Sequence, residues 1–163
     1  MTNWQYQNTT DFEIPPTAFG FVYMIECTLP EDERIRLGIT KTKYLGRKYL
    51  SSQKTTSKRV LNKSGVKVTK KKKSRVESTW RTYMGSCKPL LEDIKRFGAE
   101  NYRFEILSFA ATKGQVNFLE CFFQMRANVL GDDAYYNDAI GSGQFRGVRF
   151  DDDFKNMLKE IQL

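Results

Sequence analysis

Between Ser51 and Arg75 the chain reads SSQKTTSKRVLNKSGVKVTKKKKSR, ten lysines and arginines without a single acidic residue. So much like charge, with so few apolar side chains, cannot bury a face against a core, and the stretch is predicted to be a solvated loop or arm. It interrupts the chain rather than ending it, so whatever folds must fold around it. A length of 163 residues suits one domain with a modest core. Binding and catalysis are therefore expected to share one unit. The arm itself has two readings: a disordered basic linker, or a phosphate-tracking arm that orders on DNA. Its position inside the domain favours the second.

The charge of the whole chain points the same way. Twenty-seven lysines and arginines against 19 aspartates and glutamates give a net charge of +8 and a pI near 9.4, which favours a polyanionic partner. Cys27, Cys87 and Cys121 are widely spaced, form no CxxC pair, and have no histidine anywhere to complete a zinc set. Without histidine, the Ser/His/Asp and Cys/His nucleophile systems are excluded as well. Chemistry would have to rest on tyrosine, lysine, arginine, carboxylates or a metal-bound water. The chain has no apolar stretch of about 18 residues and no N-terminal signal pattern, so a soluble protein of the reducing cytoplasm, without a membrane partner, is expected.

Residues 1–18 are polar, lack periodicity and end in a double proline, which reads as a flexible or extended lead-in. The domain is expected over 19–140, with 51–76 as its basic insertion. Its first strand is the aromatic and β-branched FGFVYMIECTL, closed by Pro-Glu-Asp-Glu. ERIRLGIT and KYLGRKYL are expected to supply one long partner strand or two short ones, placing Tyr23 and Tyr44 on strands of a hairpin. Leu90, Leu91, Ile94 and Phe97 make an amphipathic helix from about Lys88, ended by Gly98. NYRFEILSF reads as a third strand, with Tyr102, Phe104 and Ile106 on one face. KGQVNFLECFFQMRANVL is the strongest helix, opening at Gly114 and carrying Val116, Leu119, Phe123 and Leu130 to the core. Glu120 sits among these apolar positions, which asks for an explanation. Residues 141–163 read as a glycine-rich loop and a short helix.

These segments, in this order, resemble the GIY-YIG nuclease superfamily, and within it the phage-encoded, homing-type branch. Gly20-Phe21-Val22-Tyr23 is similar to the GIY strand, and Tyr44-Leu45-Gly46-Arg47-Lys48 to the YIG strand. Specificity comes from the segments that follow: 77–86, FGAENYRFEIL at 97–107, Thr112-Lys113-Gly114, Asn117-Phe118-Leu119-Glu120 and Tyr135-Tyr136-Asn137. The resemblance implies an α/β fold with a small three-stranded antiparallel sheet flanked by helices, and hydrolysis of double-stranded DNA with one divalent metal, magnesium or alternatively manganese. It also implies site residues. Glu120 matches the metal-binding glutamate, Tyr23 the tyrosine that acts as general base or positions the attacking water, Tyr44 its partner across the hairpin, and Asn137 the supporting asparagine. A tyrosine pKa near 10 makes a poor base at neutral pH, and Lys48 stands where a cation could lower it.

Three points stay open on the sequence alone. The catalytic arginine has three candidates, Arg47, Arg59 and Arg81, with Arg81 preferred because it follows Trp80 where ordered sequence resumes. The YIG tyrosine is Tyr44 if Pro30 to Thr40 is an insertion, or is replaced by Arg36, which lies 13 residues after Tyr23 against 21 for Tyr44. The longer match of KYLGRKYL favours the insertion. DNA contacts are expected from Lys54, Lys58, Arg59, Lys70, Lys71, Lys72, Lys73, Arg75 and Trp80. A double-strand break would need a homodimer on DNA or sequential nicking. Rival readings are a non-catalytic nucleic-acid-binding protein on a degenerate nuclease scaffold, and an RNA-associated basic protein.

Overall fold

Residues 20–27 are apolar on both sides because the strand they form is covered on both sides. In the computed structural model, which describes residues 3–141, 148 and 151–161, β2 (Gly20–Cys27) lies inside a sheet. Phe21, Tyr23 and Ile25 enter one core with Trp80, Leu90 and Ile94, while Val22 enters a second with Val116, Leu119 and Phe123. Burial of each such side chain contributes roughly 1.5–3 kcal/mol.

The sheet has four strands and is mixed, correcting the expected three antiparallel ones. Its order is β1 (Trp4–Tyr6), β6 (Tyr102–Ala110), β2 and β3 (Lys43–Tyr49), with β1 parallel to β6 and the other pairs antiparallel. The extra strand comes from the segment expected to be a lead-in. Trp4 is buried against Phe21, Tyr23 and Phe104, and its indole donates to the Trp80 carbonyl at 3.0 Å. Three residues in a polar segment are too few to show period-2 alternation, so aromatic packing rather than propensity makes this strand.

Two further elements depart from the sequence reading. ERIRLGIT is not strand: α1 (Glu31–Leu37) is a helix with Glu31, Asp32 and Glu33 in its first turn, Arg34 and Arg36 in its last, and Gly38 closing it at φ 72°. Inserted between β2 and β3, it puts Tyr44 rather than Arg36 beside the first tyrosine strand. Arg36 lies exposed on α1, paired with Glu33. The basic arm is also ordered, as β4 (Ser51–Leu61) paired antiparallel with β5 (Lys67–Glu77) in a separate two-stranded ribbon.

The other helices lie near their expected places. The α2 helix (Lys88–Phe97) covers one face of the sheet with Leu90 and Ile94 and ends at Gly98. On the other face, α3 (Lys113–Arg126) starts from a capping box in which Thr112 accepts from the Gln115 amide, one residue outside the expected Gly114 start. Leu130, expected in the core, lies past the end of α3 and is 57% exposed. The short helix α4 (Asp152–Glu160) docks Phe154 into the second core. In β6, register slips between Val22–Ser108 and Tyr23–Ile106, leaving Leu107 as the extra residue of a bulge. The slip changes the strand's phase, so Phe109 joins Tyr102, Phe104 and Ile106 in one core while Leu107 packs against the other.

Candidate active site

The two tyrosine strands meet at a glycine. Tyr23 on β2 stands opposite Gly46 on β3. A Cβ at position 46 would fall 2.7 Å from the Tyr23 hydroxyl and 2.9 Å from a Tyr44 ring carbon. The glycine of Tyr44-Leu45-Gly46 is thus what lets both rings gather over one spot. The ring centroids of Tyr23 and Tyr44 are 6.2 Å apart, and Tyr83 stands edge-on to Tyr23 at 5.9 Å. Tyr23 donates a hydrogen bond to the Tyr83 hydroxyl at 3.4 Å, and the Tyr44 hydroxyl is 3.3 Å from Ser86 Oγ.

These surroundings govern the protonation of the pair. Burial pushes the Tyr23 pKa well above 10, and the neighbouring Tyr83 and Tyr44 push it the same way. The Tyr44 pKa is also raised by burial, although the Ser86 hydrogen bond and Arg47 oppose the shift. Lys48, expected to lower a tyrosine pKa, instead seats its ammonium 3.8 Å from the centre of the Tyr83 ring. Both tyrosines therefore keep their protons at neutral pH. Only Tyr44 of the two lines the cleft shared with Glu120; Tyr23 is fully buried behind it.

Across a cleft of about 730 Å³ from Tyr44 stands Glu120. At 7% exposure, this α3 carboxylate would be costly if unpaired. It is ion-paired with Arg47 of β3. Arg47 Nε in turn donates to the Tyr49 hydroxyl at 3.2 Å, and Tyr49 donates to Asn117 Oδ1 at 2.7 Å. Strand and helix together thus orient the guanidinium. Gly141 closes the cleft beside the pair, where a Cβ would lie 3.0 Å from Glu120 Oε2 and 3.6 Å from Arg47 Nη1.

Asn137 lines the same cleft and holds the strand that borders it. Its amide spans the Leu45 backbone, accepting from the amide nitrogen at 3.0 Å and donating to the carbonyl at 2.8 Å. Because β3 is the edge of its sheet, Asn137 satisfies groups that would otherwise have no strand partner, and so holds the residue between Tyr44 and Gly46. Gln124 donates to the same carbonyl at 3.2 Å and accepts from the Gly141 amide at 3.0 Å.

The remaining sequence candidates lie elsewhere. Arg81 is exposed, pairs with Glu77 at 3.7 Å and stacks on Trp80 at 4.5 Å. It borders a different hollow, with Trp4 and Phe12. Arg59 is on the ribbon. Of the three arginine candidates, the fold brings Arg47 to Glu120. Trp80, expected at the DNA surface, is 3% exposed and packs against Phe21, so it is a core residue. Lys54, Lys58, Arg59, Lys70, Lys71, Lys72, Lys73 and Arg75 are all exposed on the ribbon.

The order of these elements also matches a family. Residues 4–140, from β1 through the asparagine that holds β3, match the SegE GIY-YIG family, described as "Putative endonuclease segE, GIY-YIG domain". The chain belongs to the GIY-YIG nuclease family. No curated protein and no solved structure gives a significant match. The GIY-YIG match takes in β1 and the whole ribbon, and stops short of α4. Within this GIY-YIG domain, the sequence reading missed Tyr83, Ser86, Tyr49 and Asn117. The hydroxyl-rich Thr82-Tyr83-Met84-Gly85-Ser86 offered a signal for the first two. Asn117 lies in the matched Asn117-Phe118-Leu119-Glu120 segment, but its pairing with Tyr49 is a contact 68 positions apart that no local signal marks.

Proposed function

We propose that this GIY-YIG domain is a divalent-metal-dependent endonuclease that hydrolyses phosphodiester bonds of double-stranded DNA. The observation that carries the reading is the cleft itself: one buried carboxylate, one oriented arginine and Tyr44 line the same hollow. Among the described residues, no group of three or more Asp, Glu, Cys or His side chains could cage a metal. Glu120 alone fits magnesium, which keeps most of its waters and takes one protein carboxylate plus substrate oxygens; manganese fits the same oxygen donor. A cation bound there would stabilise charge on the phosphate and on the leaving oxygen.

The chain's own residues do the rest. Arg47 exchanges its carboxylate partner for a phosphate oxygen and neutralises charge developing there. Tyr44, still protonated, orients the attacking water. Tyr23, deeper and held by Tyr83, fixes the position of Tyr44, and Asn137 fixes the strand that carries both Tyr44 and Arg47. A phage-encoded homing or host-DNA-degrading enzyme, working in the host cytoplasm as a nicking monomer or as a dimer on DNA, is the biological setting that this reading fits.

A second reading, a nucleic-acid-binding protein without cleavage, draws on the same ion pair, which leaves Glu120 already neutralised. Nicking of supercoiled plasmid in magnesium separates the two. The endonuclease reading expects open-circle product that EDTA and Glu120→Ala both abolish. Intact plasmid with the wild-type protein in either magnesium or manganese would leave the binding reading standing.

A further inference from the structure

We propose that the β4–β5 ribbon enters the major groove of B-form DNA and grips both of its walls; this rests on duplex DNA being the substrate. Every side chain from 52 to 59 and from 69 to 77 is exposed, so the ribbon gains almost no stability from a core. A two-stranded ribbon alone in water is marginal at best. This one also sets Lys58 directly opposite Lys70, and like charges so placed repel. An ordered ribbon of this composition therefore calls for a polyanion.

The pairing register argues for a groove rather than a single flat row of phosphates. Lys54, Lys58, Lys70 and Lys72 lie on one face, and Arg59, Lys67, Lys71, Lys73 and Arg75 on the other. A ribbon laid on the outside of a duplex would use one set and leave the other in solvent. A ribbon inside a groove meets phosphates on both sides. Short hydroxyl side chains stand between the cations, with Thr55, Thr56 and Ser57 facing Lys73, Lys72 and Lys71, which keeps the ribbon slim. The major groove, roughly 12 Å wide, admits a two-stranded ribbon. Eleven residues per strand span about 37 Å, close to one turn of B-DNA.

Both ends of the ribbon fit this placement. At the tip, Asn62 Oδ1 accepts from the Ser64 and Val66 amides at 3.0 and 2.8 Å, holding a formed turn. Leu61 and Val66 project from it, 65% and 57% exposed, suited to thymine methyl groups on the groove floor. At the root, Arg75 stacks on Phe19 at 4.9 Å. There a hollow of about 540 Å³ is lined by Arg47, Lys48, Gln53, Arg75 and Lys113. Arg47 also borders the Glu120 cleft, so phosphates leaving the ribbon run directly to the site of cleavage.

The test uses the wild-type chain in EDTA, where no cation supports cleavage, with binding to a labelled B-DNA duplex read by anisotropy against salt. Lys58→Ala/Lys70→Ala/Lys72→Ala removes three phosphate partners from exposed positions that folding does not need. The loss of affinity between 50 and 200 mM salt should become smaller by about 40-fold, from a slope of about 0.9 per contact. Methyl green, which fills the major groove, should displace the protein, whereas netropsin in the minor groove should not. An RNA duplex, whose major groove is too narrow, should bind more weakly. An unchanged salt slope in the triple variant, displacement by netropsin alone, or tighter binding to the RNA duplex would each overturn the proposal. Groove-dependent binding by a chain that leaves plasmid uncut in both magnesium and manganese supports the ribbon and ends the endonuclease reading.

Discussion

Gly46→Ala tests whether the tyrosines sit where the glycine lets them. The added Cβ would lie 2.7 Å from the Tyr23 hydroxyl oxygen, 2.9 Å from Tyr23 Cζ and 2.9 Å from Tyr44 Cε1. Real Cβ atoms do not approach so closely, so a ring or the strand has to move. Tyr23 has little room, since Trp4, Phe21 and Tyr83 stand edge-on to it at 5.2, 6.1 and 5.9 Å. Overpacking of a rigid site costs about 1–3 kcal/mol, and two clashing rings put this variant near the top of that range. Urea denaturation should show a lower midpoint with an unchanged slope. Tyr23→Phe removes the nearest contact but leaves Cζ, so in that background the glycine substitution should cost about 1 kcal/mol less, a coupling larger than the scatter of independent sites. Nicking should fall by about 10² in the single variant, because displacement of a positioning group by an ångström has that effect. A Gly46→Ala chain as stable as its parent, or costs that simply add in the double variant, would refute the packing described for the two tyrosines.

Three further outcomes follow from the same geometry. Asn137→Ala leaves the Leu45 amide without its partner and should cost about 2 kcal/mol in urea denaturation, with a matching loss of nicking. Arg47→Ala should abolish nicking and lower stability by about 2–4 kcal/mol, since it leaves the Glu120 carboxylate buried without its ion-pair partner; Arg81→Ala, remote from the cleft, should leave the nicking rate within about twofold of the parent. The pKa of Tyr23 and of Tyr44 is raised, and that of Tyr102 is pushed up to about 12, all by burial first, so the unfolded chain loses these protons before the folded one. Their contribution is thus fully present below about pH 10 and is lost as pH rises above it. Thermal melts should be insensitive to these groups between pH 7 and 9, then fall, and Tyr102→Phe should soften the fall.

How far the sequence could be read depended on whether the decisive signal was local. GFVYMI, NYRFEILSF and the α2 and α3 periodicities state their own elements, and Glu120 between Val116 and Phe123 was conspicuous as an acid on an apolar helix face. In α1, the acidic first turn, basic last turn and Gly38 form a complete helix signature, local and legible, although the β-branched Ile35 and Ile39 also suit a strand. Trp4–Tyr6 could not be read as strand from three residues, because its order comes from Phe21 and Phe104 far along the chain. The ribbon was hidden by its charge: composition says what cannot be buried, but not whether the backbone pairs. The site showed the same division. The tyrosine strands, Glu120 and Asn137 could be named as candidates from motif and order, whereas that Arg47 and not Arg81 reaches Glu120 needed the distance between β3 and α3. Trp80 misled because an indole between basic residues looks alike in sequence whether it faces DNA or the core.

Single-turnover cleavage of a labelled DNA duplex in magnesium, comparing the wild-type chain with Glu120→Gln, tests the role of Glu120 most directly. The glutamine keeps the size of the side chain and a partner for Arg47 while removing the negative charge that a cation needs. Cleavage by the wild type, and a rate at least about 10³-fold lower in the variant at equal DNA affinity, is the expected result; it corresponds to about 4 kcal/mol of lost stabilisation. Equal cleavage rates, or cleavage by neither protein, would contradict it.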